Sequence, residues 1–211
     1  MISNEVIIKC LEQYKVEADA SQCDQIRRYV ATLLRWNRKI SLTSITDELE
    51  ILKFHFGESV FALCAVGGIN GRLADVGSGA GFPGLPLRIF DPSIDLTLIE
   101  SNSKKCAFLS EVVRELGLAK VRVLRARFED AREFDGILDA VASRAVGAFG
   151  DLLEWSAKAL KSGGQVILWV GEDDARQISE TPGWLWEHAV IVPGSERRYV
   201  LAGSPIVLTG D

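Results

Sequence analysis

The sequence predicts an α/β fold in which a largely parallel sheet is sandwiched by helices and preceded by a helical extension. Three observations carry this. Short apolar runs alternate with helical stretches from Leu73 onward, a glycine-rich turn joins the first run to a helix, and no useful strand alternation precedes Leu63. At 211 residues the chain suits one such domain with an extension, long enough to bury roughly 70% of its unfolded surface.

In order along the chain, Leu33, Leu34, Ile40, Leu42 and Ile45 suggest a helix leading into a turn at Ser41 to Ser44. A second helix is expected from Asp47 to Leu63, capped by Thr46, with Ile51, Phe54, Val60 and Phe61 among its apolar positions. Gly67-Gly68-Ile69-Asn70-Gly71 is the clearest linker, dividing a helical extension (1–66) from a sheet domain (67–211). Strands are expected at 73–76, 94–100, 121–125, 138–143 and 165–170, with helices near 84–90, 103–117 and 148–161. Leu116-Gly117 and Ser162-Gly163-Gly164 read as helix terminators. Trp184 to Val192 and Arg198 to Leu208 read as two closing strands, a hairpin around Pro193-Gly194.

Composition narrows the chemistry. Cys10, Cys23, Cys64 and Cys106 form no C-x-x-C pair, so neither a disulfide framework nor a zinc site is expected, and the four read as small buried groups. Two histidines, His55 and His188, leave no basis for a metal site or a Ser-His-Asp machine. No secretory signal opens the chain and no apolar run approaches the roughly 18 residues of a membrane span, so a soluble cytoplasmic protein is expected. Net charge is −5, against a nucleic-acid partner taken globally. Basic residues nevertheless cluster at Arg27, Arg28, Arg35, Arg38 and Lys39, at Lys104 and Lys105, at Arg122, Arg125 and Arg127, and at Arg144, Arg197 and Arg198. They read as solvated faces unless the fold brings them to one side.

The chemistry concentrates at Asp75-Val-Gly-Ser-Gly-Ala-Gly-Phe-Pro-Gly84. Gly77, Gly79 and Gly81 permit a sharp turn and a close backbone approach to a ligand, and Pro83 suits the first turn of the helix that follows. Glu100, at the end of the next strand, is placed to accept hydrogen bonds from ribose hydroxyls. Gly79-x-Gly81-x-x-Gly84 satisfies a dinucleotide fingerprint, but the overlapping Asp75-x-Gly77-x-Gly79-x-Gly81 puts a carboxylate where a sulfonium and an ammonium suit better than a pyrophosphate. S-adenosyl-L-methionine is therefore favoured over NAD(P) or FAD. Strand ends nominate Phe128 and Glu129 to bracket an adenine ring, and Ser143 to Val146, where Arg144 can bind a phosphate or base carbonyl through its fork of donors.

Absences help choose the acceptor. The chain lacks the Asp- or Asn-Pro-Pro-aromatic turn usual in amine methylation after the fourth strand, and Cys106 falls within a helix rather than a site. An acceptor that already owns a free lone pair, such as guanine N7, needs no base, and proximity can supply about 7 to 11 kcal/mol.

Together with Trp36-Asn37-Arg-Lys-Ile-Ser-Leu-Thr43, the segment around His55, Glu100-Ser-Asn-Ser-Lys-Lys105, Phe108-Leu109, Glu115-Leu116 and Ser143-Arg-Ala-Val146, this turn resembles the bacterial 16S rRNA guanine-N7 methyltransferases, the glucose-inhibited division protein B family. The likeness spans about residues 30 to 170 and rests most specifically on Gly-Phe-Pro-Gly, Trp-Asn and Ser-Arg-Ala. It implies a Rossmann-like class I methyltransferase sheet and an S-adenosylmethionine-dependent enzyme acting on 16S rRNA or the small ribosomal subunit, expected to be a monomer. By position, Asp75, Gly77, Gly79, Phe82, Phe128, Glu129 and Arg144 would bind or border the cofactor, Glu100 would hold its ribose, and Arg144 would be the catalytic candidate. Trp36 and Asn37 are family markers that can equally be a core anchor and a helix cap. The chain departs from the family where Ser41 replaces the usual Asn and where Glu100 and Phe128-Glu129 stand for a frequent Asp and Ala-Glu. A nicotinamide oxidoreductase, or an RNA-binding module that keeps the pocket without turnover, are the competing readings.

Overall fold

The computed structural model describes residues 2–144, 147 and 149–206. Helix α1 (Asn4–Glu12) starts where the Ser3 side chain accepts the Val6 N–H, and α2 (Ala20–Asn37) starts at a reciprocal capping box between Asp19 and Gln22. Asn37 then closes the turn that follows: its side-chain oxygen accepts the N–H groups of Leu42 and Thr43 at 2.8 and 3.1 Å, and its amide donates to the Thr43 carbonyl. The next helix is capped by Asp47, not Thr46 as expected, because the Asp47 carboxylate takes both the Leu49 and Glu50 N–H groups at 2.9 Å. It runs as α3 (Glu48–Ile51), a π-helical turn (Leu52–Gly57) and α4 (Glu58–Ala65), an interruption no apolar spacing announced.

After the glycine linker come β1 (Arg72–Val76), α5 (Gly84–Phe90), β2 (Asp95–Glu100), α6 (Ser103–Leu116), β3 (Val121–Arg125) and β4 (Leu138–Arg144). Then follow α7 (Phe149–Ala159), β5 (Leu160–Gly171), α8 (Glu172–Ser179), β6 (Trp184–Trp186), β7 (Val190–Ile191) and β8 (Arg198–Pro205). Gly117 ends α6 in the left-handed conformation, as its sequence signal predicts. Ser162-Gly163-Gly164 does not end α7. The helix stops at Ala159, and the glycines sit in an irregularity of β5, where pairing passes from Leu138↔Leu160 to Ala140↔Gln165. Helix α8, polar except at Ala175 and Ile178, had too few apolar positions to be predicted. Ala145 and Val146 of the expected fourth strand end, and Val207 and Leu208 of the expected last strand, lie outside the described residues.

The sheet has the order β3-β2-β1-β4-β5-β8-β6, parallel through the first five strands and antiparallel where β8 meets β5, β6 and β7. Parallel strands are buried on both faces, so alternate residues feed two cores. Leu73, Leu98, Ala142 and Ile167 pack with Leu33, Phe56 and Phe108 on one side, while Ala74, Ile99, Val141 and Leu168 pack with Leu152 and Trp155 on the other. Helices α5 and α6 cover the first side of the sheet, and the N-terminal helices pack against them. Strand order reverses between β1 and β4, which opens a crevice at the carboxyl ends of the strands.

Candidate active site

The glycine turn leaves β1 and folds over the end of β2. The Gly77 and Ser78 N–H groups donate to the Ile99 carbonyl at 3.0 and 3.2 Å, and Gly79 N–H donates to Glu100 Oε2 at 3.0 Å. Gly81 has φ +87°, and a Cβ there would strike the Tyr29 hydroxyl and lie 2.6 Å from Leu85. The Tyr29 hydroxyl donates to the Ala80 carbonyl at 2.5 Å, tying α2 to the turn. Gly84 N–H donates to Asp75 Oδ2 at 3.0 Å, and a Cβ on Gly84 would sit 2.6 Å from that oxygen. Asp75 is therefore fully buried beneath the turn that it braces. Burial pushes its carboxyl up to about 7, and Oδ1 is left without a partner among the described residues.

Beside this turn lies a cavity of about 190 Å³ walled by Gly77, Ile99, Glu100, Ala126, Phe128 and Glu129. The fold thus brings four of the predicted residues together: Gly77, Glu100, Phe128 and Glu129. Glu100 also takes the Asn102 N–H on Oε1 at 2.7 Å, so each oxygen is anchored to backbone and keeps capacity for another donor. Phe128, in a short turn of 3₁₀ helix, is half-buried with its ring edge-on to Trp155 at 5.8 Å.

Phe82 and Arg144 are placed elsewhere. Phe82 is buried in an aromatic stack, 5.2 Å from Tyr29 and 4.6 Å from His55, and faces the N-terminal helices. Arg144 lines a second, larger cavity of about 650 Å³ together with Glu58, Phe149, Trp169, Arg198 and Tyr199. There Glu58 Oε2 lies 3.2 Å from Arg144 and Oε1 lies 3.0 Å from Arg198. His55 stands nearby with Nε2 2.8 Å from Thr43 Oγ1, and burial, aided by the Arg144 charge, lowers it to about 4.

Sequence reading assigned no role to Glu58, which falls in the middle of the helix expected over Asp47 to Leu63, and the signal was its position among Phe54, Phe56, Val60 and Phe61. It separated Arg197 from Arg198 no better: Arg197 is exposed, whereas Arg198 covers the Phe54 ring at 4.8 Å. Trp36 donates to Glu111 at 3.1 Å and packs edge-on to Phe108, and Arg35 pairs with Glu111 and Glu115. Cys10, Cys23 and Cys106 are buried, but Cys64 is exposed, contrary to expectation. Among the described residues no group of three or more His, Cys, Asp or Glu could hold a metal, and no helix is long and apolar enough to cross a membrane.

The profile of the rRNA small subunit methyltransferase G family matches residues 22–191. A ribosomal RNA small subunit methyltransferase G from Desulfitobacterium hafniense is 38% identical over 188 residues, covering 88% of this chain and 76% of the relative. One from Roseiflexus castenholzii is 39% identical over 165 residues, covering 76% and 70%. Among solved structures, a SAM dependent methyltransferase from Aquifex aeolicus superposes with a TM-score of 0.63 at 17% identity, covering 74% of this chain and 93% of that one. TrmN from Thermus thermophilus superposes with a TM-score of 0.60 at 20% identity, covering 85% and 53%. These two likenesses concern the fold.

Proposed function

The chain belongs to the rRNA small subunit methyltransferase G family, and from that premise we propose that it methylates N7 of a guanine in 16S rRNA of the small ribosomal subunit, with S-adenosylmethionine as donor. The observation that carries this reading is the pairing of a nucleoside-sized, carboxylate-lined cavity with a larger one that presents the guanidinium groups of Arg144 and Arg198 across a single strand-end crevice. The first fits the cofactor. Glu100, locked by two backbone N–H groups, would take ribose hydroxyls, Phe128 and Glu129 would flank the adenine, and Gly77 leaves room at the turn. Asp75 braces the turn from beneath through its bond with the Gly84 N–H.

When bound, S-adenosylmethionine supplies an activated methyl group on a sulfonium. The residues of this chain then have to orient the acceptor rather than deprotonate it, since N7 of guanine carries a free lone pair. Arg144 can donate to the neighbouring O6 without occupying N7. His55, neutral well below pH 7, is shielded between Phe82 and Thr43 and holds no proton for the reaction.

The test is transfer of labelled methyl from S-adenosylmethionine to small subunits purified from cells lacking the gene, followed by nucleoside analysis. Labelled N7-methylguanosine in 16S rRNA is expected. Cofactor binding with no label in any RNA would instead favour an RNA-binding module that keeps the pocket.

A further inference from the structure

The second cavity carries an arrangement that the cofactor reading does not use. Glu58 opens α4 directly after the π-helical turn, and its side chain is only 3% exposed. Its two oxygens do different work: one meets Arg144 from the end of β4, the other Arg198 from the start of β8. Those strands are not neighbours, for β5 runs between them. The backbone of Glu58 is itself pinned from β5, where the Trp169 indole N–H donates to the Glu58 carbonyl at 2.7 Å. On the far side Arg198 rests on the Phe54 ring, one helical turn before Glu58. The carboxylate is thus held from below and holds two guanidinium groups above.

As a stability device this is a poor solution. Only Glu58 is deeply buried, Arg198 keeps contact with solvent, and a buried ion pair gains little over apolar packing. Arg144 Nη1 is also buried with no partner among the described residues. An idle guanidinium donor at a cavity wall suits an electron-rich guest.

We propose that Glu58 is a positioning residue for methyl transfer: its carboxylate clamps Arg144 and Arg198 as a pair so that the guanidinium groups meet the acceptor nucleotide in the 650 Å³ cavity. This rests on the methyltransferase reading above. Glu58 acts through Arg144 and Arg198 and touches neither cofactor nor reacting atoms.

The test compares wild type, Glu58→Gln, Glu58→Asp, Arg144→Ala and the Glu58→Gln/Arg144→Ala double variant in single-turnover transfer to unmethylated small subunits. Cofactor affinity by calorimetry and thermal unfolding are measured in parallel. Glu58→Gln is expected to slow transfer about 100-fold, as misplacement of a positioned group does, with cofactor affinity unchanged. Glu58→Asp, which keeps the charge, is expected to recover part of the rate. Adding Glu58→Gln to Arg144→Ala is expected to cost little more, because the two act as one unit. Wild-type rates in folded Glu58→Gln, or full multiplication of the two single losses in the double variant, would overturn the clamp while leaving the methyltransferase reading intact. Should Glu58→Gln not fold, Glu58→Asp decides alone: a rate equal to wild type overturns the clamp, and a reduced rate with normal cofactor affinity supports it. Absence of transfer by wild type itself would overturn the underlying reading, and the clamp with it.

Discussion

The two cavities differ in how they are assembled. The smaller is built from a single βα unit and its successor: β1, the glycine turn and the end of β2 supply it, and the turn after β3 closes it. Its charged walls are Glu100, Arg127 and Glu129, and Glu100 is anchored to the N–H groups of Asn102 close by in the chain and of Gly79 one strand over. The larger draws Glu58, Arg144 and Arg198 from three distant segments that meet only because β4, β5 and β8 lie in that order and α4 packs over their ends. A local site tolerates change outside its motif, whereas a distributed site fails when any one arm moves.

That contrast can be broken first at Arg144. Arg144→Ala is expected to reduce transfer by about 100-fold or more while cofactor affinity stays within a few-fold, since the lost donor lies outside the smaller cavity. A variant that transfers normally, or that loses cofactor instead, would collapse the division of labour between the cavities. Glu100→Ala is the mirror experiment. Charge-assisted hydrogen bonds contribute about 1.5 to 3 kcal/mol each, so loss of one such bond to the ribose hydroxyls is expected to weaken cofactor binding by about 10- to 100-fold. Calorimetry reads this directly, and affinity equal to wild type would remove Glu100 from the site.

A smaller effect tests the buried carboxylate under the turn. Asp75 sits near 7 in the folded chain, above its usual value, so folding retains a proton that the unfolded chain has released. Its contribution is therefore most favourable below about pH 4 and is lost as pH rises toward 7. His55 works the other way: lowered to about 4, it costs stability as pH falls from 6.5 toward 4. Denaturant unfolding at pH 5 and pH 8 should accordingly show a smaller stability drop on raising pH in Asp75→Asn than in wild type. An identical drop in both would mean that Asp75 is ionised in the fold. Smallest of all is the surface term. Lys104 and Arg197 are exposed and have no acidic partner within 4 Å among the described residues. If either meets an RNA phosphate, its neutralisation should reduce the slope of log affinity against log salt by about one. An unchanged slope assigns that residue to the solvated surface.

Much of the smaller cavity was legible because its parts are close in sequence. Asp75, Gly77 and Gly79 announce the turn by type and spacing, and Glu100 follows at the length of one βα unit. Even so, the part played by Asp75 differs from its appearance: a strand-end carboxylate looks available to a ligand, and here Oδ2 is committed to the Gly84 N–H. Phe82 is similar, since its neighbours in the chain lie at the cofactor turn while its ring turns away to stack on Tyr29 and His55.

By itself the sequence determined the alternation of strand and helix, the parallel sheet, the glycine turn and the acidic strand end, because each follows from short-range periodicity and backbone freedom. Only the tertiary structure decided that Phe82 stacks on Tyr29 and His55 and that Glu58 joins Arg144 to Arg198. Such pairings depend on strand order and on which face each helix presents. A charge spaced 86 residues from its partner in the chain leaves no periodic trace of the 3.2 Å that separates them in space.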